Sequence, residues 1–128
     1  MNAERSNGGR EPQNIEERTL TYASHAVNLL RVLHGQDDRA GWVIGNQYLR
    51  VVLSIGANVS EARSGESCKD FIHKMQISQK EARECLFRLK LMALTSMLPP
   101  KRIEPLLGEI DEIIAIITTI IKNTKRND

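Results

Sequence analysis

The sequence predicts an all-α protein, an up-down-up-down antiparallel four-helix bundle. Two observations lead to this fold class: four stretches carry apolar residues at helical spacing, and only short polar breaks separate them. Short connections make neighbouring helices antiparallel. At 128 residues the chain is expected to form one domain. We assign the bundle to residues 15–126 and a disordered tail, rich in polar residues, to residues 1–14.

The first helix is expected from Ile15 to about His34. Asn14 stands at the N-cap position, and Glu17 follows three residues later, as in a capping box. Gly35 ends the helix. Its apolar residues recur at helical spacing: Ile15, Tyr22, Ala26, Leu29 and Leu33.

The second helix is expected from about Ala40 to Ala62 and is apolar over most of its circumference. A helix of this kind must be buried on more than one side, which predicts association with copies of the same chain. One polar strip, within roughly 80° of the helix circumference, interrupts the apolar surface. Its residues are Gln47, Arg50, Ser54, Asn58 and Glu61. This strip is either a solvent-facing stripe or a polar seam at an interface.

The third helix follows a cap signal, Ser67 with Asp70 three residues later, and Pro99-Pro100 stops it near Leu98. Because the turn before it is centred near residue 65, the second and third helices place Arg50 opposite Glu81. The same register places Gln47 opposite Glu84. The sequence therefore predicts a partly buried arginine–glutamate pair that fixes the alignment of the two helices.

The fourth helix is expected to begin near Glu104, with Pro105 in its first turn. Its isoleucine-rich run has helical spacing, because the apolar residues step by four and three. They are Leu106, Ile110, Ile113, Ile117 and Ile120. Together with a second apolar row, they cover roughly 140° of the helix, whereas one core needs about 100°. The extra width indicates a second contact surface on this helix.

Cysteine usage and hydropathy indicate a cytoplasmic protein. Cys68 and Cys85 lie on one predicted helix, roughly 25 Å apart along its axis, so they cannot form a disulfide within it. Two reduced thiols are typical of the cytoplasm. The first residues lack the apolar core of a signal peptide, and the apolar stretch near Ile110 is too short and too polar to span a membrane.

Catalytic chemistry has no clear signature in this sequence. His25, His34 and His73 have no partner at the spacing of a metal motif, and Cys68 has no histidine nearby in sequence. We therefore expect no catalytic, cofactor-binding or metal-binding residues. The alternative is a small-molecule-binding or metal-dependent bundle enzyme, which would need a cluster of ligand residues in the core.

Basic residues on the third helix have two interpretations. They are either one side of a solvated mixed-charge surface that includes Glu81 and Glu84, or a patch for nucleic-acid phosphates. In a ring of subunits, symmetry would repeat a modest patch and strengthen its field. The candidate nucleic-acid contacts are Lys80, Arg83, Lys122, Lys125 and Arg126. Aromatic content is 4%, too low for the stacking platforms of single-strand binders.

An ordered set of residues in the second and third helices carries a family resemblance. The matching segments are Arg50-x-x-x-Ser54-Ile55-x-Ala57-Asn58-x-x-Glu61-Ala62, Ser67-x-x-Asp70-Phe71-Ile72-x-Lys74 and Ile77-Ser78-x-Lys80-Glu81-Ala82-Arg83-Glu84. With them, the chain resembles the small bacterial four-helix bundle proteins known as 23S rRNA intervening-sequence or S23-like proteins. We interpret the following residues as a structural polar motif: Arg50, Ser54, Asn58, Glu61, Glu81 and Glu84.

The resemblance implies a homo-oligomer, namely a pentameric barrel of bundles, without known enzymatic activity. Relatives include the accessory variability determinant of diversity-generating retroelements. In that branch the resemblance implies partnership with a reverse transcriptase and with RNA or DNA. One departure is Ala62, because the family often has glycine at this point.

Overall fold

The structure, a computed structural model, describes residues 14–65 and 67–127. It contains four helices: α1 (Ile15–His34), α2 (Arg39–Arg63), α3 (Cys68–Leu94) and α4 (Pro100–Asn127). No strand occurs in these two ranges. The tail expected at residues 1–14 lies, except for Asn14, outside the described residues.

The helices form a ring in which each packs against its neighbours in sequence and α4 packs back on α1. Side-chain contacts show that adjacent helices are antiparallel. Arg18 pairs with Glu112 at 2.7 Å, and His25, further along α1, meets Glu109, which comes earlier in α4. The predicted all-α, up-down-up-down bundle is therefore confirmed.

Side-chain caps fix two of the helix starts. Asn14 Oδ1 accepts hydrogen bonds from the backbone N–H groups of Glu16 and Glu17 at 3.0 and 3.2 Å. Ser67 Oγ accepts one from the N–H of Asp70 at 3.0 Å. These bonds satisfy N–H groups that have no partner within the helix. Asn14 and Ser67 are therefore the N-cap residues of α1 and α3, as their cap signals predicted.

The turn between α3 and α4 differs from the expectation. α3 ends at Leu94 rather than near Leu98, because Ser96 takes a left-handed conformation with φ of 56°. The N–H of Met97 then donates to the carbonyl of Met92 at 3.1 Å, the bond that closes a Schellman motif. The fourth helix begins at Pro100 rather than Glu104, which leaves Pro105 in its second turn. Pro100 is well suited to the first position of α4, because proline lacks the N–H group that would have no partner there.

The core is a column of side chains from all four helices, and α4 contributes isoleucines at the predicted spacing. Ile110, Ile113 and Ile117 are completely buried. Ile120, predicted in the core row, is only half-buried and Ile121 is buried in its place; Ile116, on the wider apolar side, is also half-buried. Among the described residues, α4 carries no exposed large hydrophobic residue, whereas α1, α2 and α3 each carry at least one.

Candidate nucleic-acid interface

One side of α3 is predominantly basic, with Glu84 at its border. We call this surface the α3 outer face. It consists of Lys69, His73, Gln76, Lys80, Arg83, Phe87, Lys90 and Leu94, all of them exposed. These residues lie within about 100° of the helix circumference. The face therefore presents four basic side chains in a row without an acidic residue between them.

Glu81 and Glu84, which alternate with the basic residues along the chain, differ in where they lie on α3. Both carboxylates are half-exposed: Glu81 lies toward the edge of α3 that faces α2, whereas Glu84 borders the α3 outer face, one turn after Lys80. That edge is identified by Ser78, one turn before Glu81, whose hydroxyl donates to the carbonyl of Ile55 in α2 at 3.0 Å. Glu84 lies 4.0 Å from Arg88 on the same helix. Lys80 and Arg83 point away from this edge.

The basic end of α4 lies beside the N-terminal half of α3. Gln79 Nε2 donates to Thr118 Oγ1 at 2.9 Å and so connects the two helices. Lys122 and Lys125 follow Thr118 by four and seven residues, which places them on the same side of α4. Both are exposed, as is Arg126. The structure thus places three of the candidate contacts on the surface next to the α3 outer face.

Phe87 is the residue that sequence reasoning missed. Its side chain is 65% exposed in the middle of the α3 outer face. A signal was present, because the core residues of this helix step by three and four and skip position 87. The buried members of that progression are Met75, Ser78, Ala82, Cys85, Leu89 and Met92.

The polar strip of α2 lies along the edge that meets α3. Asn58 Nδ2 donates to the carbonyl of Ser54 at 2.9 Å and lies 3.3 Å from its hydroxyl. Glu61 pairs with Lys74 of α3 at 2.8 Å. The Asn58 bond lies within α2, and the Glu61–Lys74 pair joins α2 to α3 at their partly exposed border.

The predicted ion pair between Arg50 and Glu81 is not formed. Arg50 is exposed, and no described carboxylate lies within ion-pair distance of it. The register explains the difference. Ile55 meets Ser78 and Glu61 meets Lys74, so the position opposite Arg50 lies between residues 83 and 85 instead of at Glu81.

A second surface is an apolar groove between α1 and α2, with a volume of about 310 Å³. Leu20 is 73% exposed and Leu53 54% exposed at its rim. We call this surface the α1–α2 groove. It is lined by Glu16, Thr19, Leu20, Ala23, Val52, Leu53, Gly56, Ala57 and Ser60.

A buried polar cluster joins α1, α2 and α3. The hydroxyls of Tyr22 and Tyr48 lie 2.8 Å apart, and Tyr22 Oη lies 3.3 Å from Cys85 Sγ. Burial raises the pKa of both phenols above the ordinary range and raises the pKa of the Cys85 thiol to about 12. A thiol held in its protonated form is a poor nucleophile. The cluster therefore fixes core alignment and does not supply a reactive group.

The remaining titratable candidates are dispersed. His25, His34 and His73 are all exposed; His25 Nδ1 lies 2.8 Å from Glu109, and the His34 ring lies 5.9 Å from that of Trp42. Cys68 is exposed at the start of α3. Within the described ranges, no three histidine, cysteine or acidic residues converge on a position for a metal ion.

No helix in the described part of the chain has the length and apolar character needed to cross a membrane.

Comparison with known proteins agrees with the fold. The model of the family described as 23S rRNA-intervening sequence protein matches residues 18–119. A solved structure from Bacteroides thetaiotaomicron, described as a protein with unknown function from the S23 ribosomal protein family, shares 33% sequence identity and has a TM-score of 0.78. The match covers 84% of this chain and 95% of that chain. No curated protein matches the sequence. The resemblance seen in the second and third helices is thus confirmed, and the chain belongs to the 23S rRNA-intervening sequence protein family.

Proposed function

We propose that this protein is a non-enzymatic, homo-oligomeric helical scaffold that binds structured RNA or DNA. The observation that carries the proposal is the one-sided charge of α3. Lys69, Lys80, Arg83 and Lys90 share an exposed face that only Glu84 borders among the carboxylates of α3, although the whole chain has a net charge of only +2. The exposed basic end of α4 extends this positive surface.

Phosphate binding is the chemistry that such a surface favours. Lysine and arginine neutralise backbone phosphates and release condensed counterions, which supplies affinity without base recognition. In a closed oligomer the surface is repeated once per subunit, so several weak contacts act together. The family and neighbour descriptions refer to 23S rRNA and to a ribosomal protein, which agrees with RNA as the ligand.

The proposal of charge-driven binding is tested by reversing two charges. We expect Lys80→Glu with Arg83→Glu to weaken binding to an RNA hairpin and to lower the slope of log affinity against log salt by roughly 2, about one unit per lost phosphate contact. Filter binding or fluorescence anisotropy at several salt concentrations measures both quantities.

The matched control for this experiment is Lys101→Glu with Arg102→Glu. These exposed residues lie at the opposite end of α4 from Lys122 and carry the same two charges. Equal losses of affinity in the two double variants, or wild-type binding that ignores salt, would contradict the assignment of the α3 outer face.

Self-association is the second part of the proposal, and the α1–α2 groove is its proposed surface. Fully burying one large aliphatic side chain gains about 1.5–3 kcal/mol, so covering Leu20 and Leu53 with a second copy is favourable. The family resemblance implies five copies in a ring. A reverse transcriptase is the protein partner implied by the retroelement branch, and co-purification with a reverse transcriptase encoded beside the chain tests that partner.

We expect Leu20→Glu with Leu53→Glu to dissociate the oligomer at micromolar concentration, because two carboxylates would have to be desolvated in the contact. Sedimentation velocity measures the change, and circular dichroism checks that the helices remain. The control is Thr21→Glu with Gln47→Glu, two exposed positions outside the groove with the same added charge. A wild-type chain that sediments as a stable monomer would disprove self-association.

A further inference from the structure

We propose that Phe87 stacks on an unpaired nucleobase, so that the ligand of the α3 outer face is a nucleic-acid strand with an unpaired segment. This inference rests on the proposed nucleic-acid binding and specifies its ligand. It assigns a separate role to the aromatic ring, whereas the basic side chains bind phosphates.

The surroundings of Phe87 fit this role. Its ring is 65% exposed on a regular helix. Arg83 lies one turn before it, and Lys80 and Lys90 lie roughly 10 Å and 4.5 Å from it along the helix axis. All three are exposed. A base placed on the ring would therefore have positive charge on both sides of it for the adjoining phosphates.

The same surroundings argue against a protein partner on this ring. The centres of protein interfaces are depleted of charged residues, and lysine in particular is rare there. One turn from Phe87 on the exposed side of α3 lie Arg83 and Lys90, and the one carboxylate at that distance, Glu84, is half-exposed and lies 4.0 Å from Arg88. A polyanion is the partner whose charge complements this arrangement.

An unpaired base is favoured over a duplex because a ring on a helix surface needs an open base face. In a continuous duplex the flat faces of the bases are covered by their neighbours. In loops, bulges and single strands the bases are free to stack on aromatic side chains. One ring for each subunit does not make a continuous stacking platform, but it is sufficient for one base, and stacking tolerates any base identity.

The test compares two ligands of equal charge: an RNA hairpin with a single-stranded loop and a fully paired RNA duplex of the same nucleotide number. We expect Phe87→Ala to weaken hairpin binding by about 5-fold to 150-fold, the range for losing one base–aromatic stack, and to leave duplex binding unchanged. Phe87→Trp is expected to retain hairpin affinity, whereas Phe87→Leu, which keeps an apolar side chain, is not.

A spectroscopic signal and a control complete the experiment. 2-Aminopurine placed in the loop is expected to lose fluorescence on binding to the wild type and not on binding to Phe87→Ala. Leu94→Ala, at an 83% exposed residue of the same face, is expected to bind like the wild type. The inference is overturned if Phe87→Ala weakens hairpin and duplex equally, weakens neither, or changes the oligomeric state.

These outcomes separate the inference from the proposed function. If Phe87→Ala has no effect while reversal of Lys80 and Arg83 still weakens binding and lowers its salt dependence, only the stacking inference fails. If reversal of the two charges also has no effect, nucleic-acid binding by this face fails as well.

Discussion

Replacing Ile113 with alanine is expected to lower the free energy of unfolding by about 2–5 kcal/mol. Ile113 is completely buried and packs in the column of isoleucines that α4 contributes to the core. Truncation removes the transfer free energy of the lost methyl groups and leaves a cavity that rigid neighbouring helices fill only partly. Urea or guanidinium unfolding, followed by circular dichroism, measures the change.

Ile116→Ala is the matched control for this experiment, with the same change of side chain on the same helix. Ile116 is only half-buried, so its truncation is expected to cost about 1 kcal/mol or less. Equal losses at the two positions would contradict the burial described here for a single chain. They would indicate that a second copy covers this side of α4 in solution.

The folded protein is expected to lose stability steadily as the pH rises above about 9. Burial raises the pKa of Cys85 from 9.0 to about 12 and raises the pKa values of Tyr22 and Tyr48 above 10. The unfolded chain releases these protons first, so it is favoured by alkali, whereas below pH 9 the contribution of the three groups is fully present. For Cys85 alone the loss is on the order of 1 kcal/mol for each pH unit above pH 9.

Chemical unfolding at pH 8, 9, 10 and 11 measures this dependence. The control is Cys85→Ala, which removes the only one of the three groups whose ordinary pKa is near 9. We expect the variant to show a flatter pH dependence between pH 9 and 10 and to fall with the wild type above pH 10, where the tyrosines ionise. The explanation fails if wild-type stability is constant from pH 8 to 11, or if the two proteins have the same slope.

The α3 outer face shows how far sequence reasoning reached at the candidate site. The types and numbers of the basic residues were evident, and Lys80, Arg83, Lys122, Lys125 and Arg126 were named as candidates. Their grouping was not evident, because Glu81 and Glu84 alternate with them along the chain. The packing of α3 against α2 turned Glu81 toward that edge, left Glu84 at the border of the basic face and left Phe87 exposed on it.

Register is the property that sequence reasoning predicted least well. A symmetric hairpin is the simplest assumption for two helices joined by a short turn, and it placed Arg50 opposite Glu81. The bundle aligns α2 with α3 through buried contacts such as the Ser78 bond to Ile55. The gain from packing the core exceeds the small gain from an exposed ion pair, so packing sets the register.

Local sequence determined the elements of this protein. Apolar spacing of three and four defined the helices, the Asn14 and Ser67 side chains fixed two of their starts, and short connections made them antiparallel. Tertiary structure alone decided which surfaces remain open. Gly45 of α2 illustrates the reason. A Cβ atom at this position would lie 2.7 Å from the side chain of Leu33 and 2.8 Å from that of Leu30, both in α1. The distance between α1 and α2, and hence the space left between them, therefore depends on residues of both helices. Periodicity identifies the apolar side of each helix, but the distance and rotation of its neighbours determine whether a residue such as Leu20, Leu53 or Phe87 is covered.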